Sequence, residues 1–402
     1  MVQGLRLGIY LHDRYRGDGN FTVSNSESLN FIRRLKLAEQ ISLAVSVTPI
    51  RDIDPENYRV VVENLGIKLF PLPGWRDLAQ SIVYLPFSLG RILKAARGLI
   101  KSSDILWLRI PAVPGFFFWW LARKQRKPLI IHVAGNVLLS ARTSKYKGLR
   151  LFAVKLASYA LHLLMRWITC YGVVLVTGGE LEKLFSTHLY PAYQLDDILL
   201  SEKNLLAPRK TKGQAKELLF VGRFDYGKGI ELLVDVVEEL HVDFPALRLR
   251  LAGSGPLFEP IRKKTAERGL GSYVKLLGFV PSTGPLQKLY RETDIFVLPS
   301  DSYPEGFPRV ILEAWAQGLP VLATRLGGIP YRIRHGENGL VVDPGDRNQL
   351  RDTLRMMIKD DTLRYKLAQG GRETVKSLTF EHQARRIRKL LHKYYPNLGI
   401  HP

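Results

Sequence analysis

The stretch Ser300-Asp301-Ser302-Tyr303-Pro304-Glu305-Gly306-Phe307-Pro308-Arg309-Val310-Ile311-Leu312-Glu313-Ala314 decides the fold. The apolar run Ile295-Phe296-Val297-Leu298 leads into it and reads as a buried strand, and after Pro308 the apolar positions Val310, Ile311, Ala314 and Trp315 take helical spacing. The pattern is therefore strand, loop, helix. A loop that opens a helix presents unpaired backbone N–H groups and the positive end of the helix dipole, which together suit an anion. Pro308 fits a first helical position, where a missing N–H costs nothing. Glu305 lies just before the helix, and Glu313 lies on the order of 7–8 Å along its axis. Two carboxylates around an anion site suit a ligand with hydroxyls on both sides of a phosphate; a nucleotide sugar is such a ligand.

The same alternation surrounds this stretch. Glu217–Arg223 reads as a strand, followed by the loop Phe224-Asp225-Tyr226-Gly227-Lys228-Gly229 and a helix through Leu240. Strands at 247–252, 274–280, 321–324 and 339–342 alternate with helices at 261–268 and 286–293. The N-terminal half repeats the theme with strands at 6–11, 43–47, 60–62, 104–109, 128–133 and 173–176. Helical patterns run from Leu29 to Leu37, through the aromatic run to Arg126, and over 147–167. Alternating strands and helices imply mostly parallel sheets covered on both faces. The pattern occurs twice, with little periodicity over 190–208. The expectation is two Rossmann-like domains, 1–205 and 206–378, facing a central cleft, followed by a basic helix over 379–402 with Thr379 as its N-cap.

Composition narrows the class. The chain has 402 residues, 46% of them hydrophobic, and a single cysteine, Cys170, which forbids an internal disulfide and fits a reducing compartment. Cys170 sits in an apolar run and reads as a buried small hydrophobe. The N-terminus shows no signal-peptide pattern, and Lys155, His162 and Arg166 interrupt the most hydrophobic region, 151–176, against a spanning helix. The net charge is +22, and no acidic residue lies between Asp104 and Glu180. Basic residues there alternate with aromatics such as Trp119, Trp120, Phe152 and Trp167. That mixture favours an anionic membrane surface over nucleic acid, for which neither zinc-ligand spacing nor an RNP-like run is present. Asp52-Ile53-Asp54 has no helper ligands and reads as a solvated turn.

Candidate residues follow from strand ends. His132 closes the strand 128–133, where open α/β sheets place functional groups. Gly222-Arg223 and Lys228-Gly229 join a strand to a helix; Arg offers a planar fork of donors and Lys a point charge, a suitable pair for a diphosphate. By themselves an arginine and a lysine in a loop can equally be solvated. The loop Gly17-Asp18-Gly19-Asn20 could cradle a phosphate or be a simple turn.

Taken together, Gly222-Arg223 with Lys228-Gly229, Ala252-Gly253-Ser254-Gly255-Pro256, Gly278-Phe279-Val280, the Glu-x7-Glu pair Glu305 and Glu313, and Gly327-Gly328-Ile329-Pro330 with Asn338-Gly339-Leu340-Val341 resemble the retaining glycosyltransferases of family 4, group 1 glycosyltransferases of GT-B architecture. The match covers about Leu218 to Asp346. The resemblance implies a metal-independent, retaining hexosyltransferase without a cofactor. Arg223 and Lys228 would bind the diphosphate and stabilise the leaving group. Glu313 would accept from the ribose, and Glu305 would hold the hydroxyls of the transferred sugar. Backbone donors would come from Gly306, Phe307, Arg309 and Val310. His132 would contact the donor sugar, Gly19 would line the first loop, and Ser254 and Val280 would border the base. The last helix would cross back to the N-terminal domain. The acceptor would be a lipid-linked or membrane-associated glycan in polysaccharide or glycolipid biosynthesis. The protein would then be cytoplasmic and peripheral on the membrane. The alternative is a non-catalytic partner that binds a sugar nucleotide, suggested by Tyr331 where relatives commonly carry Glu and by the poor first glycine loop.

Overall fold

The computed structural model describes residues 2–18, 22–24, 28–49, 60–75, 84–142, 148–195, 200–209, 213–281, 284–302 and 307–401. The chain forms two compact units, Met1–Leu199 with Gln383–Pro402, and Leu200–His382. The breaks expected from sequence lay at 205/206 and 378/379.

The first unit runs β1 (Val2–Gly17), β2 (Thr22–Ser24), α1 (Ser28–Arg34), β3 (Ala38–Pro49), β4 (Val60–Val61), β5 (Lys68–Pro73), α2 (Leu85–Lys101), β6 (Ile105–Ile110), α3 (Val113–Lys124), β7 (Leu129–Val133), α4 (Val137–Arg142), α5 (Gly148–Thr169), β8 (Val173–Val176), α6 (Gly179–Phe185) and β9 (Ala192–Gln194). Its parallel sheet has the order β5-β3-β1-β6-β7-β8-β9, with β2 and β4 added antiparallel at the far end of β1. The order reverses between β1 and β6, which pair from Leu7↔Ile105 to Tyr10↔Leu108. Strands covered on both faces are mostly apolar, and the leading residues of β6 and β7 are: Ile105 to Leu108 and Leu129 to Ile131 are at most 1% exposed.

Several elements differ from the sequence reading. β1 extends well past Leu11; a register shift against β3 between Leu11 and Arg14 bends it, and it continues to Gly17, which pairs with Thr22 and Pro49. Gly19 and Asn20, and the Asp52-Ile53-Asp54 turn, lie outside the described residues. β5 was obscured by Pro71 and Pro73; it pairs with β3 alone, and an edge strand tolerates residues without an N–H. α2 was not anticipated, although Ile92, Ala95, Ala96, Leu99 and Ile100 recur with helical period and are its buried face. Leu151–Thr169 of α5 is long and apolar enough, by length and composition, to cross a membrane. Its two basic side chains are too few to prevent that, contrary to the sequence reading. Cys170 is half-buried, its thiol donating to the Arg166 carbonyl at 3.4 Å.

The second unit runs β10 (Glu217–Val221), α7 (Ile230–Asp243), β11 (Arg248–Ala252), α8 (Phe258–Glu267), β12 (Val274–Gly278), α9 (Pro285–Arg291), β13 (Ile295–Leu298), α10 (Arg309–Ala316), β14 (Val321–Thr324), β15 (Leu340–Val342), α11 (Arg347–Lys359) and α12 (Asp361–Lys376). All six strands are parallel, in the order β12-β11-β10-β13-β14-β15. The order reverses between β10 and β13. In such sheets ligands bind outside the carboxyl ends of the strands at that reversal. Trp315 of α10 is fully buried, and Gly371 of α12 faces its ring so closely that an added Cβ would stand 2.2 Å away. Asp346 and Asp360 cap α11 and α12 by accepting from the Gln349 and Leu363 amides.

The last helix, α13 (Phe380–Tyr394), begins in the second unit, where the Phe380 amide donates to the Leu200 carbonyl. The Thr379 hydroxyl donates back to the Lys376 carbonyl at 2.9 Å. From Gln383 the chain belongs to the first unit. There Arg388 donates to the Leu35 carbonyl, Arg386 to that of Gln194, and the Tyr395 hydroxyl to that of Leu129 at 2.9 Å.

Gly229 opens α7 at φ +66°, and a Cβ there would lie 1.9 Å from the Pro299 carbonyl oxygen. Gly229→Ala is expected to destabilise the second unit by about 2 kcal/mol or more, whereas Gly271→Ala, with no neighbour within 4 Å, should be near neutral. Urea denaturation of the two variants checks this; equal midpoints would refute the packing argument.

Candidate active site

The loops after β10 and β13 touch at the reversal of the second sheet. The Asp301 and Ser302 amides both donate to the Gly227 carbonyl, at 2.9 and 3.3 Å. On the other side, the loop after β11 passes beneath the loop after β10. Gly253 has φ +144°, and a Cβ there would stand 1.8 Å from the Gly222 carbonyl oxygen. The Phe224 amide donates to the Ser254 carbonyl at 2.9 Å, and the Gly253 amide to that of Gly278 at 2.8 Å. Four strand ends thus lie side by side, joined backbone to backbone. Gly222, Arg223, Lys228, Ser254, Val280, Phe307, Arg309, Val310 and Glu313 all sit at this edge or on the helix rising from it. Glu305 and Gly306 lie outside the described residues.

The charged groups differ in how firmly they are held. Arg223 makes an ion pair with Asp225 at 3.1 Å while its side chain stays 68% exposed. Such a pair is worth about 0–1 kcal/mol, so an incoming diphosphate can displace it at little cost. Lys228 is 8% exposed, its amide donating to the Asp225 carbonyl. Pro308 is the N-cap of α10, one position earlier than expected, so Arg309 and Val310 supply the first helical N–H groups. The amide of Ile311 is already used by the Pro308 carbonyl. Phe307 packs its ring 5.9 Å from that of Trp315, with the Arg332 guanidinium 5.1 Å over its other side.

Glu313 is held by a partner that the sequence did not disclose. The Tyr290 hydroxyl donates to its Oε2 at 3.0 Å. Burial, and then the charge of Glu313, push the Tyr290 hydroxyl well above its ordinary range, so it stays a donor. That hydrogen bond orients the carboxylate. No spacing rule links a tyrosine on α9 to a glutamate on α10, because only the packing of the two helices brings them together. Asn338, quoted above as part of a motif, is structural. Its side chain accepts from the Arg334 amide at 2.7 Å and donates to the Arg332 carbonyl and Thr374, while its carbonyl accepts from the Trp315 indole. Tyr331 ends a short 3-10 turn, Ile329–Tyr331, and is 47% exposed.

In the first unit His132 lies near the end of β7, in register with Arg109 of β6 and 2% exposed. Its Nε2 is 2.9 Å from the Thr177 hydroxyl, and among the described residues Nδ1 has no hydrogen-bond partner. Trp107 meets the ring edge-on at 5.8 Å. Sequence reading missed the neighbours that structure assembles here. Arg109 pairs with Asp13 at 3.1 Å, both 13% exposed, and bonds to Ser28. His12 Nδ1 lies 3.4 Å from the Arg109 carbonyl. Their signal was faint: an arginine and an aspartate at the ends of two apolar strands.

Burial, then Arg109 and His12, hold the His132 imidazole well below its ordinary range, so it is neutral at pH 7. His12 is lowered by burial and Arg109 in the same way. The unfolded chain takes up these protons near pH 6.5 while the folded chain does not. Stability is therefore complete above that pH and is lost as pH falls below it. His132→Gln should lose less stability than the parent between pH 7 and pH 5, measured by urea denaturation; an identical pH slope would contradict the neutral buried imidazole.

The family match lies in the second unit. Residues 202–374 match the family model described as glycosyl transferases group 1. A lipopolysaccharide core biosynthesis glycosyltransferase of Rhizobium meliloti is 35% identical over 165 residues, 41% of this chain and 46% of that protein. A D-inositol 3-phosphate glycosyltransferase of Corynebacterium efficiens is 35% identical over 182 residues, 44% of this chain and 42% of its own. The matched segments span under half the length of these two relatives. A sulfoquinovosyl transferase of Arabidopsis thaliana is 25% identical over 89% of this chain and 68% of its own. The solved structure of Anabaena HepE with UDP superposes over 97% of this chain and 100% of that one at TM-score 0.68 and 15% identity. The lipopolysaccharide outer core galactosyltransferase WaaB does so over 97% and 100% at TM-score 0.65 and 16% identity. The chain has the GT-B fold of two Rossmann-like domains, and its residues 202–374 are similar to the group 1 glycosyl transferases.

Proposed function

We propose that the protein is a retaining glycosyltransferase of family 4 that moves a hexose from a nucleotide sugar to a lipid-linked or membrane-associated glycan. The observation that carries this reading is the junction of the Gly227 and Asp301 loops at the β10/β13 reversal. It sets a buried lysine, an exposed arginine and the N-terminus of α10 along one sheet edge with the oriented Glu313.

The chemistry follows from those groups. The acceptor hydroxyl attacks the anomeric carbon on the face from which the diphosphate departs. The bond from carbon to phosphate oxygen breaks through an oxocarbenium-like state, and the hydroxyl proton passes to the departing oxygen. Arg223, Lys228 and the first amides of α10 stabilise the charge that grows on the diphosphate; preorganised charge of this kind is usually the largest catalytic contribution. Glu313 holds the ribose. The resemblance assigns Glu305 and His132 to the transferred sugar, and a neutral imidazole suits a hydrogen bond to a hydroxyl. Because two side-chain cations and a helix terminus neutralise the diphosphate, transfer proceeds without a bound metal. The one-signed basic region of the N-terminal half supports a location on the cytoplasmic face of an anionic membrane.

A thermal-shift screen against UDP-, GDP-, ADP- and dTDP-sugars, followed by transfer assays on lipid-linked acceptors, tests the reading; failure to bind or turn over any of them defeats it. Arg223→Ala, Lys228→Ala and Glu305→Ala should each lower transfer by roughly a hundredfold or more, and rates near the parent's would refute the assigned roles. Tyr290→Phe should raise KM for the donor several-fold while leaving kcat close to the parent's, because it loosens Glu313 alone. Transfer is expected to survive EDTA unchanged; loss restored by magnesium would overturn metal independence. His132→Ala separates enzyme from binding partner: an enzyme loses its cellular role and a sugar-nucleotide-binding partner keeps it.

A further inference from the structure

Helix α5 of the first unit carries an apolar stripe on its outer side. Phe152, Leu156, Tyr159, Leu163 and Trp167 are 64, 60, 54, 49 and 51% exposed. They recur at intervals of three and four residues, so they share one helical face. The opposite face is committed to the protein: Met165 and Ile168 are 1% and 4% exposed, and His162 lies against Phe185. A helix anchored along one side by its own domain lies along a surface rather than through it, although its sequence is apolar enough to span.

Beside the buried side of α5 is a cavity of about 190 Å³ where α5 meets α2 and α3. Leu85, Ile110, Phe116, Phe117, Leu164 and Ile168 form its walls, and the rest of its lining is apolar as well. An enclosed cavity of roughly 150 Å³ with such walls takes a small hydrocarbon. This one is open on one side, so a hydrocarbon segment can enter it, and its walls offer that segment more contacts than they offer water. The charge around it is one-signed: every charged residue of α2, α3 and α5 is basic. The exposed cations Arg91, Lys94, Lys155 and Arg166 flank the stripe and the cavity in sequence. Lys124 stands 4.0 Å over the Trp120 ring, and Phe87, in the first turns of α2, is 81% exposed. Apolar side chains ringed by cations and aromatics complement the acyl boundary of an anionic bilayer.

We propose that α5 lies flat on an anionic phospholipid bilayer with its stripe among the acyl chains, and that the α2–α3–α5 cavity takes the end of a lipid hydrocarbon tail. This rests on the membrane-surface part of the function proposed above and not on the transfer chemistry. The full chain is tested by flotation with vesicles of equal phosphatidylglycerol and phosphatidylcholine, against phosphatidylcholine alone. The parent should float with the anionic vesicles, and the exposed-stripe variant Phe152→Ser/Leu156→Ser/Leu163→Ser should bind them at least tenfold more weakly. The cavity is probed separately with the fluorescent chain of cis-parinaric acid in detergent-free buffer. The stripe variant should retain this binding, and Leu164→Trp, which fills the cavity, should lose it at least tenfold. Displacement by oleate marks a phospholipid tail and preferential displacement by farnesyl phosphate an isoprenoid one; both support occupancy by a tail, and displacement by neither overturns it. Equal flotation of the stripe variant, or a lipid-free dimer that the same variant abolishes, would overturn the surface assignment. Nucleotide-sugar thermal shifts serve as the control for folding and should be unchanged in all variants. Vesicle binding without transfer would defeat the catalytic reading alone, and transfer to a soluble acceptor without vesicle binding would defeat this inference alone.

Discussion

At several points in the second unit backbone passes backbone without room for a Cβ, and two of them join strand-to-helix loops. Gly229 crosses the Pro299 carbonyl, and Gly253 crosses that of Gly222. Each contact draws one strand-to-helix loop onto its neighbour, and the Gly227 carbonyl then collects the amides of Asp301 and Ser302. Side chains at either crossing would separate the loops by the width of a methyl group or more. The loops that carry Lys228 and the start of α10 would then move apart. The placement of positive charge therefore depends on the absence of two side chains.

Around that edge the charges are graded by burial. Lys228 is enclosed, whereas Arg223 rests in a solvent-exposed pair with Asp225. Glu313 is not an isolated base, since a buried tyrosine that keeps its proton holds one of its oxygens. A carboxylate fixed in this way accepts hydroxyl donors well and is poorly arranged for proton transfer. This agrees with a site that binds and orients its ligand, leaving the bond changes to sugar and phosphate.

The first unit solves a different problem. Its sheet carries a buried neutral histidine beside an Arg109–Asp13 pair. Part of its excess positive charge lies on α2, α3 and α5, where it accompanies exposed apolar side chains rather than acidic partners. Surface of this kind is uncommon on a protein that meets only water.

Much of this was legible in the chain. Buried parallel strands must be apolar runs, helices that cover them must repeat with helical period, and glycine must stand where loops cross, so β10 to β15 and the Gly222–Gly229 and Ser300–Glu313 loops could be read in order. The spacing of Ile92 to Ile100 contained α2 as well. Prolines concealed β5, an edge strand that obeys weaker local rules, and a register shift within β1 concealed its run on to Gly17. What sequence could not supply were partners distant along the chain: Tyr290 for Glu313, Arg109 for Asp13, and the apolar cavity between α2, α3 and α5. Local pattern records which face of an element avoids water. Which side chains meet on that face is decided only when separate elements pack together.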